Sequence, residues 1–494
     1  MAPGDQRPGR GLAAHLDQNP RVPAGVAGAG GHCLQGGAPG SKVLSLGTRG
    51  FLTGLDRQVL RLAIPNLLAS VSVPLVGIVD TAMIGRLPEV AFMGAVATAS
   101  VLFDVLYWGV GFLRMGTTSL VAQFFGAGDR RACVQTLYRS LLLALLLGAV
   151  MVVLQLAIAQ VGFKLAGGSP QVQEWGQRYF AVRIWAAPLV LCSFALNGFF
   201  LGTANAMGPL YITVATNLVN IAADYALIFG HWGAPALGVV GAAWAGVLAS
   251  GAGLLVGSLV LVWQYRLYFT ESIGGLFERR QLGHLFRTNV QLLGRTLCLL
   301  FAQFTLLAMV SRLGEVPLAA NAIVWQVWAV VSYGVDGFAF AAEALVGNAL
   351  GRRDFAGARR LARRILGWAG GIGLFFGAVY ACALAPIGRV FTPHQEVVAA
   401  IASLTWLIAL VQPLNALVFV LDGIFIGAND VGYLFRAMAA SAFLFFVPAA
   451  LLLVYGLGGG LQGAWLAYDA LMVGRFLTLW RRFRSEDWLK TFIA

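Results

Sequence analysis

The chain is 494 residues long, 59% hydrophobic and only 11% charged, whereas a soluble domain carries roughly a quarter of its residues charged. Long apolar runs divided by short polar breaks exclude a soluble globular fold, and their continuity, without period-two alternation, excludes a β-barrel. A net charge of +13 would suggest nucleic acid in a soluble protein; in this composition it is a topological signal, and no nucleic-acid partner is expected.

Residues 1–50 are rich in Gly, Pro, Ala and Arg and lack the apolar stretch of a signal peptide, so they read as a disordered tail. A miscalled start is the other reading: the next methionine is Met83, already inside the first span, so such a start needs a non-Met codon near Val43. Hydropathy then predicts twelve spans, at about 58–84, 91–118, 140–162, 178–201, 209–229, 238–263, 289–311, 318–347, 365–385, 396–426, 433–455 and 461–480. Alternate loops carry eighteen basic residues on one side and five on the other, which places both termini in the cytoplasm of a multi-pass cell (inner) membrane protein.

Enzyme chemistry finds no support along the chain. Lysine occurs only at Lys42, Lys164 and Lys490, none after a glycine, so there is no Walker A loop. The five cysteines show no CxxC spacing, and neither HExxH nor GxSxG occurs. No metal or cofactor is expected.

An internal repeat organises the spans. Arg86-Leu87 with Glu89 matches Arg312-Leu313 with Glu315, and Gly111-Phe112 matches Gly337-Phe338, at an offset of 226; Gly126, Asp129, Pro188, Phe194, Gly198 and Gly202 match Gly351, Asp354, Pro413, Phe419, Gly423 and Gly427 at 225. Two parallel six-helix halves follow, the architecture of a secondary transporter that opens a central cavity to each side in turn. The expected domains are an N-terminal lobe at 57–263, an interlobe linker at 264–288, a C-terminal lobe at 289–480 and a cytoplasmic tail at 481–494.

A charge near the bilayer centre costs about 2.5–3.5 kcal/mol on insertion scales, so each one in a span needs a partner or a role. Asp80 closes the first span fifteen residues after Pro65, whose missing N–H and ring clash predict a kink. Asn220 stacks one turn before Asp224, with Asn217 adjoining; an amide beside a carboxylate can donate to it or share a cation, and two acids converging away from water resist simultaneous ionisation. Asp80, Asn220 and Asp224 are therefore the cation-coupling candidates, with interface and structural hydrogen-bond roles as their alternatives. Arg114, Arg295, Asp336 and Glu343 read as structural ion pairs, Asp336 and Glu343 sharing a face two turns apart. Arg183 and Arg475 lie near span ends and are expected to snorkel to the interface; Asp104 and Asp422 are open, and Asp469 reads as structural.

The strings DTAMIG (80–85), FLRMGTT (112–118), AQFFGAGD (122–129), RTLCL (295–299) and DGFAFAAEALVG (336–347), in matching order from about 57 to 480, resemble the multidrug and toxic compound extrusion (MATE) family, in particular its DinF-type branch. The resemblance implies an all-α membrane fold of twelve helices in two V-shaped lobes, and antiport in which protons, or in some relatives sodium ions, enter as organic solutes leave. It also implies a cation-responsive cluster at Asp80, Asn220 and Asp224, with the fourth-helix polar positions Tyr179 and Asn197 beside it as substrate or cavity candidates, together with Asn217. Relatives often place a hydroxyl early on the sixth helix; here 238–249 reads GVVGAAWAGVLA, with none before Ser250, which favours protons. The expectation is a monomeric proton-coupled exporter of small, drug-like organic solutes surrounded by membrane lipid, with a sodium-coupled exporter or a lipid-linked precursor flippase as alternatives.

Overall fold

The computed structural model describes residues 54–269 and 274–491; the expected tail and the question of its start lie outside them. Described residues 54 onward form one compact unit of helices α1 Gly54–Ile84, α2 Val90–Ala127, α3 Arg130–Val153, α4 Pro170–Gly202, α5 Met207–Phe229, α6 Val239–Tyr268, α7 Arg279–Ser311, α8 Glu315–Gly351, α9 Phe355–Phe391, α10 Thr405–Gly427 and α11 Val431–Gly456, all long and apolar enough to cross a membrane. The twelfth, α12 Gly460–Ser485, is as long but carries Gln462, Asp469 and Arg475. Among the described residues no strand occurs. The first six helices and the last six are the two halves of the repeat.

Proline places the irregularities. Pro188 opens the second part of α4, and its ring opposes the carbonyl of residue 184, where the helix tightens to a 3-10 turn at Ile184–Ala186. Helix α1 runs as one element of 31 residues with two prolines inside it, Pro65 and Pro74; the second stands six residues before Asp80. Pro448 lies between two π-helical turns, Ser441–Phe446 and Leu451–Gly456.

The repeat is written in packing as well as in sequence. Asp129 caps α3 by accepting from the Ala132 amide (2.9 Å), and Asp354 caps α9 from the Gly357 amide (2.7 Å). Gly148 lies against the Cα of Pro188 and Gly373 against the Cα of Pro413, where an added Cβ would come within 2.5 and 2.6 Å. The halves meet at a reciprocal crossing of α2 and α8. A Cβ on Gly126 would sit 2.2 Å from the Asn348 carbonyl oxygen, and one on Gly351 would sit 2.0 Å from that of Gln123; the two contacts exchange under the 225-residue offset, so the crossing lies on the pseudo-two-fold axis.

Two boundaries move from those expected. Helix α7 begins at Arg279, ten residues before the expected 289, because its first turns are polar and escape a hydropathy reading. Segment 274–276 is stapled to α3 by Arg131, Gln135 and Arg139, one turn apart each, which donate to the carbonyls of Gly274, Gly274 and Leu276 at 2.7 Å. At the other end, residues 481–490 are not a free tail: α12 runs to Ser485, Glu486 turns the chain in a left-handed conformation (φ 58°), and Trp488 is fully buried.

Gly126→Ala and Gly351→Ala are each expected to destabilise the protein by about 1–3 kcal/mol, since a backbone oxygen cannot give way, whereas Gly283→Ala, where the new methyl meets nothing within 4 Å, is expected to leave the melting temperature in detergent unchanged.

Candidate functional site

Asp80 on α1 and Asn220 and Asp224 on α5 come together, Asn220 and Asp224 one turn apart as their spacing predicts and Asp80 beside them as the resemblance implies. The Asn220 Nδ2 donates to Asp80 Oδ1 at 3.2 Å and to Asp224 Oδ2, so the two hydrogens of one amide nitrogen are divided between two acids. Asp80 is half-buried and Asp224 is 1% exposed. The second Asp224 oxygen, Oδ1, is buried and has no hydrogen-bond partner, which leaves an acceptor free for a proton or a cation. One turn earlier, Asn217 donates to Ser72 Oγ on α1 at 3.1 Å, extending the polar seam between α1 and α5.

Arg183 also belongs here, and the expectation that it snorkels is corrected. It sits where α4 breaks into its 3-10 turn, in the electrostatic field of Asp80, Asp224, Tyr107 and Tyr179. Its slot is cut into α6: a Cβ on Gly246 would come within 2.5 Å of the Arg183 Nε, and one turn on Ser250 Oγ accepts from the guanidinium at 3.4 Å. The missing side chain at Gly246 therefore makes room for a guanidinium. A signal was present, because Arg183 lies one turn after Tyr179 on the same helix face. Tyr179 is buried beside the acids; the half-buried Asn197, further along α4, has an Oδ1 without a partner and is not hydrogen-bonded to the cluster.

The expected ion pairs form in a different pattern. Arg114 pairs with Glu343 across the two halves, at 3.0 and 3.4 Å from its two terminal nitrogens. Arg295 does not pair with Asp336 or Glu343; it binds Asp422, and Arg475 binds the same Asp422 oxygen. Arg475 is 2% exposed, so its expected snorkelling is also corrected: a bridging carboxylate on α10 holds it inside. Among the described residues Asp336 makes no hydrogen bond or ion pair, although it lies in the field of Arg114 and Arg295. Three arginines and three acids, Glu343, Asp422 and Asp336, bring this second network to formal neutrality.

Among the described residues the hydrogen-bonded ties seen between the helical halves lie toward the arginine-rich ends of the helices. Beside Arg114–Glu343, Ser119 donates to Asn429 Oδ1 (3.0 Å), Gln123 to the Gly427 carbonyl (3.1 Å), and Arg364 and Trp368 to Asp56 (2.5–2.9 Å). No such tie joins the described segments 70–84 and 90–109 to the second half.

A membrane-spanning duplicated bundle with paired internal charges and an acid pair bridged by an amide defines a secondary transporter scaffold. The MatE family model matches residues 65–226 and 292–452, and the chain belongs to that family, the multidrug and toxic compound extrusion transporters. It is 33% identical over 445 residues to DNA damage-inducible protein F of Escherichia coli, covering 89% of this chain and 95% of that one, and 32% identical over 456 residues to the probable multidrug resistance protein NorM of Bradyrhizobium diazoefficiens, covering 86% and 94%. Its fold matches a crystal structure of MATE in the bent conformation with a TM-score of 0.78 at 20% identity, and an outward-facing MATE family transporter with 0.76 at 21%, each over 88% of this chain and 97% of that one. It is a transporter and not an enzyme, a multi-pass membrane protein in two lobes.

Arg114→Gln leaves the buried Glu343 without its bidentate partner and is expected to cost about 3–5 kcal/mol, while Arg114→Gln with Glu343→Gln should recover most of that loss; a double-mutant cycle of thermal unfolding in detergent reads both.

Proposed function

We propose that the protein is an antiporter of the inner membrane that exports small organic solutes in exchange for protons, with Asp80, Asn220 and Asp224 as the coupling site. The observation that carries the reading is the single Asn220 amide nitrogen shared by two carboxylates. With Arg183 alongside, two ionised acids and one guanidinium sum to a single negative charge, which one proton neutralises. Sodium needs several oxygen ligands closing around it; here Ser250, the first hydroxyl on α6, accepts from the Arg183 guanidinium, and a fixed cation beside the acids opposes a second one.

Loading from outside would discharge the cluster and remove the reason for α1 and α5 to hold the amide between two acids. Helix α1 can respond because Pro65 and Pro74 each remove one of its backbone hydrogen bonds. Release of the proton to the cytoplasm restores the charge, and each elementary charge crossing yields about 2.3 kcal/mol per 100 mV. The lobes, tied at the arginine-rich face, rock about those ties to expose the solute to each side. Tyr179 and Asn217 are the polar groups near the cluster offered to the solute, with Asn197 further along α4 as a cavity candidate, and one chain suffices for the cycle.

In everted vesicles energised by respiration, Asp80→Asn and Asp224→Asn are expected to reduce proton-driven uptake of a lipophilic fluorescent cation at least tenfold, with the protein still folded and inserted. Full uptake by either variant would sink the coupling assignment. Arg183→Gln, which removes the fixed cation, is expected to make transport responsive to a sodium gradient.

A further inference from the structure

At the arginine-rich end of the bundle, outside the coupling site and the interlobe ties, α9 and α12 enclose a cavity of about 310 Å³. Its floor is Leu366 with the aromatic side chains of Trp480, Phe483 and Trp488; its rim is Arg359, Arg363 and Arg484, with Glu486 as the one acid among the lining residues. The cavity is built by the end of the chain. Glu486 adopts φ 58°, which costs a non-glycine residue of order 1 kcal/mol or more, and the reversal places Trp488 flat on Phe483 with ring centroids 5.6 Å apart, its Nε1 donating to the Phe483 carbonyl at 3.2 Å. Trp480 stacks on the other side of Phe483 at 5.6 Å.

Charge in this cavity is unbalanced. Glu486 pairs with Arg359, whose Nε is buried and makes no hydrogen bond. Arg363 and Arg484 are exposed and have no carboxylate partner among the described residues; the Arg484 guanidinium lies over the Trp480 ring, 5.4 Å from its centroid. Two uncompensated guanidiniums facing one cleft match the planar, multidentate demand of a phosphate oxyanion. Tryptophan near the end of a membrane-spanning helix, above an apolar floor of Leu366 and Phe483, suits a headgroup whose acyl chains remain in the leaflet.

We propose that this cleft binds the phosphodiester of an anionic glycerophospholipid, Arg363 and Arg484 taking its oxygens and Trp480 walling the glycerol, with the buried Trp488 supporting the cleft from behind. The lipid then ties the end of α12 to α9 across the left-handed turn at Glu486. A free phosphate ion offers the same oxyanion chemistry without the chains, so the test separates the two sources.

The purified full-length chain in detergent is titrated with phosphatidylglycerol, phosphatidylcholine or inorganic phosphate, and bound adducts are read by native mass spectrometry. Wild type is expected to retain phosphatidylglycerol over phosphatidylcholine, and Arg363→Gln/Arg484→Gln to weaken the anionic lipid about thirtyfold, as two arginines at the membrane surface imply. The control Arg279→Gln/Arg280→Gln removes the same charge from another site on the same face and should bind as wild type. Displacement of the lipid by millimolar inorganic phosphate would overturn the lipid source and assign the cleft to the free ion. Equal retention of both lipids, or equal weakening in the two double variants, would overturn the site altogether.

Discussion

A charged side chain inside a membrane-spanning helix must find a partner or stand where its charge is used, and that constraint sorts the interior of this protein. Arg114 finds Glu343, and Arg295 and Arg475 share Asp422. These pairs consume their charge in holding helices together, as expected where removing one partner costs more than the pair contributes. The Asp80 and Asp224 pair is arranged differently: its two acids share one neutral amide, and one Asp224 oxygen is left unpartnered. The first arrangement pairs opposite charges, although Asp422 Oδ1 and the Nε atoms of Arg295 and Arg475 make no hydrogen bond. The second sets two like charges on one amide.

Mobility follows from where the halves are tied. The reciprocal approach of Gly126 to Asn348 and of Gly351 to Gln123 brings two backbones close enough that no side chain can intervene, and the interlobe hydrogen bonds gather around that crossing. Toward the opposite ends of the helices, α1 beyond residue 70 and the first half of α2 present mostly half-buried or exposed residues. Asp80 lies on that segment of α1, past both prolines, and Asp224 faces it from α5. Under the proposed mechanism a change of charge at Asp80 acts on the part of α1 that no hydrogen bond among the described residues ties to the second half.

Much of the fold was legible because the membrane imposes a coarse grammar: apolar length gives helices, and the 225-residue offset gives the parallel halves. The cluster of Asp80, Asn220 and Asp224 was legible because Asn220 and Asp224 stand one turn apart and a carboxylate in a span is rare enough to notice. What stayed hidden required three dimensions. Arg295 was assigned to the wrong acid because its partner Asp422 lies 127 residues away in sequence, on a helix no local spacing relates to it. Arg183 and Arg475 were read as snorkelling because distance to a span end says nothing of which neighbour lies across the gap; the Gly246 slot and the Asp422 bridge decide it. The packing of residues 486–490 was missed since a short polar segment after the last span resembles a tail until a left-handed Glu486 turns it back.

The most direct test of coupling at the amide-bridged acids uses purified protein in proteoliposomes, with a pH gradient and a sodium gradient imposed separately and efflux of a lipophilic fluorescent cation recorded for wild type beside Asp224→Asn. Coupling through the cluster requires efflux driven by the pH gradient alone and lost in the variant. Efflux driven only by sodium, or pH-driven efflux that survives the loss of the Asp224 carboxylate, would contradict it.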